Sequence, residues 1–350
     1  MNSDFIIRPE ELNLAFSHGN APKQLAFQNW NGTPEDWKRA CCEKLSLLLG
    51  LGDPISPGIV REVRRLEQTG VTIQALIMQI DHKLSIPAYL LSPPSPKDPS
   101  RAVMAIHGHG EVEACLGLWD DYHHSFALAL AQAGHVVLCP ELRGFGSLFD
   151  LALHKQGSRL DYWRWGEHMA YSLVTDGFLY GKTLIGETIE DLLRWENWLA
   201  ENQKITSIDA VGISYGGDLS LMYPVFSQRV ERIFASGTFG SFSVIFDQCY
   251  NAPAHCIPGI MQWMDRSDIA GLNVPRPILL HFGQLDVPGP ENFSASYNSS
   301  VPIALDELRA VYRNYGVENR VQMQISPGKG HEMDTALILK YLDGLHPNQL

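Results

Sequence analysis

Residues 207–227 read SIDAVGISYGGDLSLMYPVFS, and this stretch decides the fold. A short apolar run ending at Ile213 leads into Gly212-Ile213-Ser214-Tyr215-Gly216-Gly217, and a helical pattern follows. This is the G-x-S-x-G arrangement of a strand, a tight turn and a helix, in which the serine hydroxyl is pushed out of the chain. Side chains two residues before and two after the serine would collide in such a turn, so Gly212 and Gly216 are expected to be required there. A serine held this way is a nucleophile that needs a base. The amide after it, that of Tyr215, is available to hold an oxyanion.

The base and its orienting acid are sought on loops after later strands. His331, in Pro327-Gly328-Lys329-Gly330-His331-Glu332, follows the last expected strand and is the best placed of 13 histidines. Asp286 lies just past the strand Pro277–Phe282, on a turn between Gly283 and Pro288. It would hold the imidazole in one tautomer and stabilise its protonated form. Asp306 is a weaker rival because it falls inside an expected helix. The second oxyanion donor should come from the loop after strand Ala102–Ile106. There the sequence is His107-Gly108-His109-Gly110, and the His109 amide is the choice by position. The two imidazoles could also suggest a metal pair, but no third ligand is evident and no metal or other cofactor is expected.

Around these motifs, strands and helices alternate. Strands are expected at Ala102–Ile106, His135–Cys139, Ile208–Ile213, Arg232–Ser236, Pro277–Phe282 and Val321–Ile325. Helices are expected at about 122–133, 183–203, 215–226, 303–315 and 332–344. Such alternation implies an α/β fold: a mostly parallel central sheet with helices on both faces. Val71–Ile80 and Leu84–Leu91 alternate like an antiparallel pair. Residues 1–70 read mainly as helix and loop, a helical N-terminal extension packing on a main domain of residues 71–350. Its helix starts at Thr33-Pro34-Glu35-Asp36 and stops at Gly50. Residues 144–181 are rich in aromatic side chains and are expected as a cap-like insertion over the strand ends. Phe145, Trp163, Trp165 and Tyr171 are the candidate substrate-binding residues. Glu141 and Arg143 are expected in a buried carboxylate–guanidinium arrangement that braces the loops, with Asp191 and Arg194 as candidate partners.

Composition narrows the functional classes. The chain has 350 residues, 45% hydrophobic and 19% charged, which allows a sizeable core without disulfides. A formal net charge of −12 without a basic stripe argues against a nucleic-acid partner or an anionic membrane surface. No stretch approaches the roughly 18 apolar residues of a transmembrane helix. The N-terminus lacks the pattern of a secretory signal, so a cytoplasmic home is expected. Six cysteines form no C-x-x-C pair and are expected reduced; a Cys249–Cys256 bridge would require export.

With these motifs in view, the chain resembles the α/β-hydrolase superfamily, and more narrowly its dienelactone-hydrolase-like and acetyl-xylan-esterase-like branch. The resemblance covers most of the chain. It is carried by Ile86-Pro87-Ala88-Tyr89-Leu90-Leu91, His107-Gly108-His109-Gly110, Gly186-Glu187-Thr188-Ile189-Glu190-Asp191-Leu192 and the serine turn. It is also carried by Cys256-Ile257-Pro258-Gly259-Ile260 with Pro275-Arg276-Pro277. The order Ser214, Asp286, His331 is that of the superfamily. Dienelactone hydrolases proper carry cysteine at the nucleophile; here residue 214 is serine. The resemblance implies a serine hydrolase acting on a small-molecule ester through an acyl-enzyme, with a homo-oligomeric state left open. The alternatives are a prolyl-oligopeptidase-like peptidase, a C–C bond hydrolase, and a ligand-binding protein on the same scaffold.

Overall fold

The computed structural model describes residues 23–52, 55–82, 84–145, 167–243, 253–286 and 299–344, with backbone only over 167–172. Its centre is a nine-stranded sheet: β1 (Ile59–Gln68), β2 (Val71–Gln79), β3 (Ser85–Ser92), β4 (Arg101–Ile106), β5 (Val136–Pro140), β6 (Ser207–Ile213), β7 (Val230–Ser236), β8 (Ile278–Gly283) and β9 (Val321–Ser326). The spatial order is β1-β2-β3-β5-β4-β6-β7-β8-β9. β1, β2, β3 and β5 pair antiparallel, and every pair from β5 across to β9 is parallel.

The central strands are buried along nearly their whole length, so β4, β6 and β8 are mostly apolar, with Asp209 on β6 and His281 on β8 as buried polar exceptions. Alternate residues then feed two cores. Met104, Ile106 and Ala210 join Trp37, Leu192, Leu219, Ile269 and Leu308 on one face. Val103, Ala105 and Val211 join Phe126, Leu130, Ile338 and Leu342 on the other. The first face is covered by helices α1 (Pro34–Leu49), α4 (Leu184–Asn202), α5 (Tyr215–Phe226), α6 (Arg266–Gly271) and α7 (Val301–Asn314). The second is covered by α2 (Phe126–Gln132) and α8 (Thr335–Leu342). One further helix, α3 (Glu167–Leu179), contacts α4 and a 3-10 turn at Pro253–His255.

Helix α1 starts where its sequence says it should. The Thr33 hydroxyl accepts the Asp36 amide, Pro34 occupies the first turn, and Gly50 ends the helix in the left-handed conformation. Its Trp37 donates from the indole to the Leu25 carbonyl, and Lys23 pairs with Asp265 at 2.6 Å. Residues 59–68, read as part of a helix-and-loop extension, instead form β1, and residue 70 falls in the turn of the β1–β2 hairpin. The strand escapes a pattern search because it is an edge. Arg61, Glu62, Arg64 and Arg65 face solvent, and charge on an edge strand blocks pairing with other chains.

Two helix starts also move. Residues 122–125 precede α2, because His124 and Ser125 take φ of 49° and 50°, outside the helical region. The last helix is capped by Asp334, whose carboxylate accepts the Leu337 amide; His331 therefore sits in the preceding loop. Among the described residues, no helix is long and apolar enough to cross a membrane.

Candidate active site

Ser214 stands between the end of β6 and the start of α5 with φ 57° and ψ −122°, a region that residues with side chains rarely enter. What holds it there is close packing. A Cβ at Gly212 would lie 2.1 Å from the Gly216 carbonyl oxygen, and a Cβ at Gly216 would lie 2.1 Å from that of Ile106. The Ser214 amide donates to the Ser236 carbonyl at 2.8 Å, which ties the turn to the end of β7. Tyr215 is the first residue of α5, so its amide has no carbonyl one helical turn earlier to bond.

Asp286 and His331 meet: His331 Nδ1 lies 2.9 Å from Asp286 Oδ2. The carboxylate side chain is fully buried and the imidazole 22% exposed, so the ring offers one edge outward. The two loops are stitched together, since Gln284 donates its amide to the Ser326 carbonyl and Leu285 donates to Lys329 at 2.7 Å. The His331 ring lies against Gly237, where a Cβ would be 2.7 Å from Cε1. Gly237 follows Ser236, whose carbonyl receives the Ser214 amide. The strand end of β7 thus joins the serine turn to the Asp–His pair. Asp306 stands on α7, beside a cleft lined by Lys23, Phe27 and Glu307.

The His107–Gly110 loop leaves β4 next to this turn. Leu142 donates its amide to His107 Nε2 at 3.0 Å, so the ring proton is on Nδ1, 2.7 Å from the Gly108 carbonyl. Both nitrogens are engaged, which leaves none for a metal. Burial pulls the His107 pKa down to about 3, helped by neighbouring His123. His109 is likewise pulled to about 3, by burial first and then by His255, His331 and His107. These rings are neutral at physiological pH.

Phe145 is 2% exposed and packs edge-on against His107 and His109, at centroid distances of 6.0 and 5.2 Å. It walls the loop. Trp163 and Trp165 lie outside the described residues, as does Cys249. Tyr171 is on α3, with its backbone alone described. Arg143 makes two bonds to Asp191, at 2.6 and 2.9 Å, and one to Glu187 at 3.0 Å, whereas Arg194 reaches the Ser56 carbonyl. Burial opposes the charge on Arg143, but these carboxylates outweigh it and hold its pKa above the ordinary value.

Two groups near the site went unread in the sequence. Asp218, His255, Arg266 and Thr238 form a buried network. Asp218 accepts Thr238 Oγ1 and Arg266 Nη2, each at 2.8 Å, and pairs closely with His255 Nδ1. The His255 ring stacks on His109 and meets Tyr215 edge-on. A carboxylate four residues past the serine, inside an otherwise apolar helix, was the available signal. The other group is Asp121-Tyr122-His123, described below.

The architecture matches many solved structures. The fold as a whole is similar to that of a proposed acetyl xylan esterase from Bacteroides fragilis NCTC 9343. That protein is 17% identical, with a TM-score of 0.72 over 99% of this chain and 97% of the other. The chain has the α/β-hydrolase fold. Two further structures with this α/β-hydrolase architecture are acetyl xylan esterase 1 from Thermoanaerobacterium sp. JW/SL YS485 and a promiscuous CE15 esterase from a marine bacterial metagenome. The first is 15% identical, with a TM-score of 0.56 over 97% of this chain and 98% of the other. The second is 11% identical, with a TM-score of 0.61 over 94% and 98%. No protein-family profile matches the chain, and no curated protein sequence does.

Proposed function

We propose that this α/β-hydrolase cleaves carboxylic esters through an acyl-enzyme on Ser214. The observation that carries the reading is the Asp286–His331 pair, anchored through Ser236-Gly237 to the serine turn. His331 takes the Ser214 hydroxyl proton as the oxygen attacks the acyl carbon. The oxyanion is held by the Tyr215 and His109 amides. His331 then gives the proton to the departing alcohol. A water repeats the sequence on the acyl-enzyme and releases the acid. Asp286 keeps the His331 proton on Nδ1 and stabilises the imidazolium. Each cycle consumes one ester and one water and releases one alcohol and one acid. Phe145 backs the oxyanion loop, and the aromatic residues at 163, 165 and 171 are proposed to contact substrate.

Two of the three structures named above are acetyl xylan esterases, one of them a proposed one, so acetyl esters head the substrate panel. The test is labelling with a fluorophosphonate, mapped by mass spectrometry, alongside p-nitrophenyl esters from acetyl to octanoyl and matched aminoacyl anilides. Label on Ser214 with ester turnover, both lost in Ser214→Ala, is the expected result. No label and no turnover would overturn it, and preferential anilide cleavage would move the assignment to a peptidase.

A further inference from the structure

The amide of His109 can serve an oxyanion only if its peptide plane is fixed before the substrate arrives, and three side chains fix that plane. In a trans peptide the N–H points opposite to the preceding C=O, so holding the Gly108 carbonyl sets the direction of the His109 N–H. His107 Nδ1–H donates to that carbonyl at 2.7 Å. One peptide earlier, the Gly108 N–H donates to His123 Nε2 at 2.9 Å, inside the protein. A backbone amide can only donate, so His123 Nε2 carries the lone pair. The ring proton is on Nδ1, 2.8 Å from Asp121 Oδ1. One peptide later, the His109 carbonyl accepts the Tyr122 hydroxyl at 2.5 Å.

The same short segment also holds the base. The Tyr122 carbonyl accepts the Met333 amide at 2.8 Å, two residues past His331, and the Tyr122 ring lies 5.6 Å from the His331 ring. Space is used up between them. A Cβ at Gly108 would be 2.3 Å from the Tyr122 hydroxyl and 3.0 Å from Ser214 Cβ. The segment ends in two consecutive left-handed residues, His124 at φ 49° and Ser125 at φ 50°. Two side-chain-bearing residues in that region persist only where their surroundings over-determine them.

We propose that Asp121-Tyr122-His123 is a clamp that sets the oxyanion loop in register with the catalytic base, with Tyr122 and His123 as positioning residues. The inference rests on the ester-hydrolase reading above. An oxyanion donor acts in the transition state and little in the ground state, so loosening it lowers kcat and leaves KM nearly unchanged. Removing a donor outright costs about 10²–10³ in kcat, and a displaced donor costs a part of that.

The experiment measures kcat, KM and the affinity of a trifluoromethyl ketone, whose tetrahedral adduct carries the oxyanion. It uses wild type, His123→Leu, His123→Gln and Tyr122→Phe. His123→Leu is expected to lose roughly 10–10²-fold in kcat, with KM within about threefold and a parallel loss of ketone affinity. His123→Gln should regain at least about fivefold, because its amide oxygen can accept the same N–H. Tyr122→Phe deletes one oxygen and should lose roughly fivefold or more in kcat. It carries the test alone if His123→Leu no longer unfolds cooperatively. A wild type that labels at Ser214 while both positions keep kcat within twofold overturns the clamp alone. So does a loss confined to KM, or a glutamine variant no better than leucine. A wild type that neither labels nor turns over overturns the hydrolase reading, and the clamp with it.

Discussion

Asp286–His331 and Asp218–His255 are built from the same two side chains, yet their settings differ. In the first, the imidazole lies 2.9 Å from the carboxylate and keeps an edge toward solvent. In the second, both partners are sealed in the protein, and Arg266 shares the carboxylate at 2.8 Å. Burial favours the neutral Asp218, but Arg266 and then His255 outweigh it and hold its pKa below the ordinary value. The outer face of His255 is spent on His109 and Tyr215, the residues whose amides are proposed to meet the oxyanion. Pairing with a carboxylate therefore does not make a histidine a base. On the proposed reading the ring with an open edge is the base, and the sealed pair with a counter-ion is a strut.

The sharpest way to break this comparison is to neutralise each carboxylate in turn. Asp286→Asn should cut kcat by about 10⁴, through loss of the required tautomer, with thermal unfolding nearly unchanged. Asp218→Asn removes the buried negative charge that Arg266 and His255 share. Breaking a buried pair costs about 3–5 kcal/mol of stability, while kcat below the unfolding temperature should stay within roughly tenfold. Urea unfolding and ester kinetics on both variants decide it. A stable but inactive Asp218→Asn, together with a near-normal Asp286→Asn, would exchange the roles.

A smaller effect is expected at Gly237, the floor of the active pair. Its φ of 64° already disfavours a side chain, and a Cβ there would press on His331 Cε1 at 2.7 Å. Gly237→Ala should displace the His331 ring and, if it is the base as proposed, lower kcat by roughly 10–10²-fold, since a displacement of about 1 Å is enough for that. Fluorophosphonate labelling should slow in step. Unchanged labelling would mean that the ring has room to spare and that the β7 end does not set its position.

What could be read in the sequence was what is local. The serine turn is six residues long, and each glycine in it has its steric reason within a few residues or on the adjoining strand end. The alternation of buried strands with helices is local too, and it carried the fold. β1 was not legible because an edge strand need bury little, and its arginines and glutamates mask the alternation. The clamp was not legible because Asp121-Tyr122-His123 looks like the polar start of a helix. Its meaning lies in contacts with residues 108–109 and 333, far away in the chain. Arg143 shows an intermediate case: its pairing with a carboxylate was legible, but that Asp191 and Glu187 supply the carboxylates depended on which face of α4 meets the loop.

A further histidine, fully buried, refines the contrast by having hydroxyls where these two have a carboxylate. His281, on β8, lies between Ser236 Oγ at 2.8 Å and Ser326 Oγ at 3.0 Å. Ser326 gives its proton to Asp334 at 2.6 Å, so its oxygen accepts from His281 Nε2–H, and His281 Nδ1 accepts from Ser236. Burial pulls the pKa down from 6.5 to about 4, and the nearby carboxylates only partly offset it. Between those values the unfolded chain takes up a proton that the folded one does not. The contribution to stability is therefore whole above pH 6.5 and falls as pH drops toward 4. From pH 7.5 to 5.5 the share of this one residue is about 1 kcal/mol. His281→Gln should make the decline in urea-unfolding free energy over that interval shallower by about that amount. An equal decline in the two proteins would mean that the hydroxyls stabilise a charged imidazole as a carboxylate would, and that the distinction between the pairs rests on the counter-ion alone.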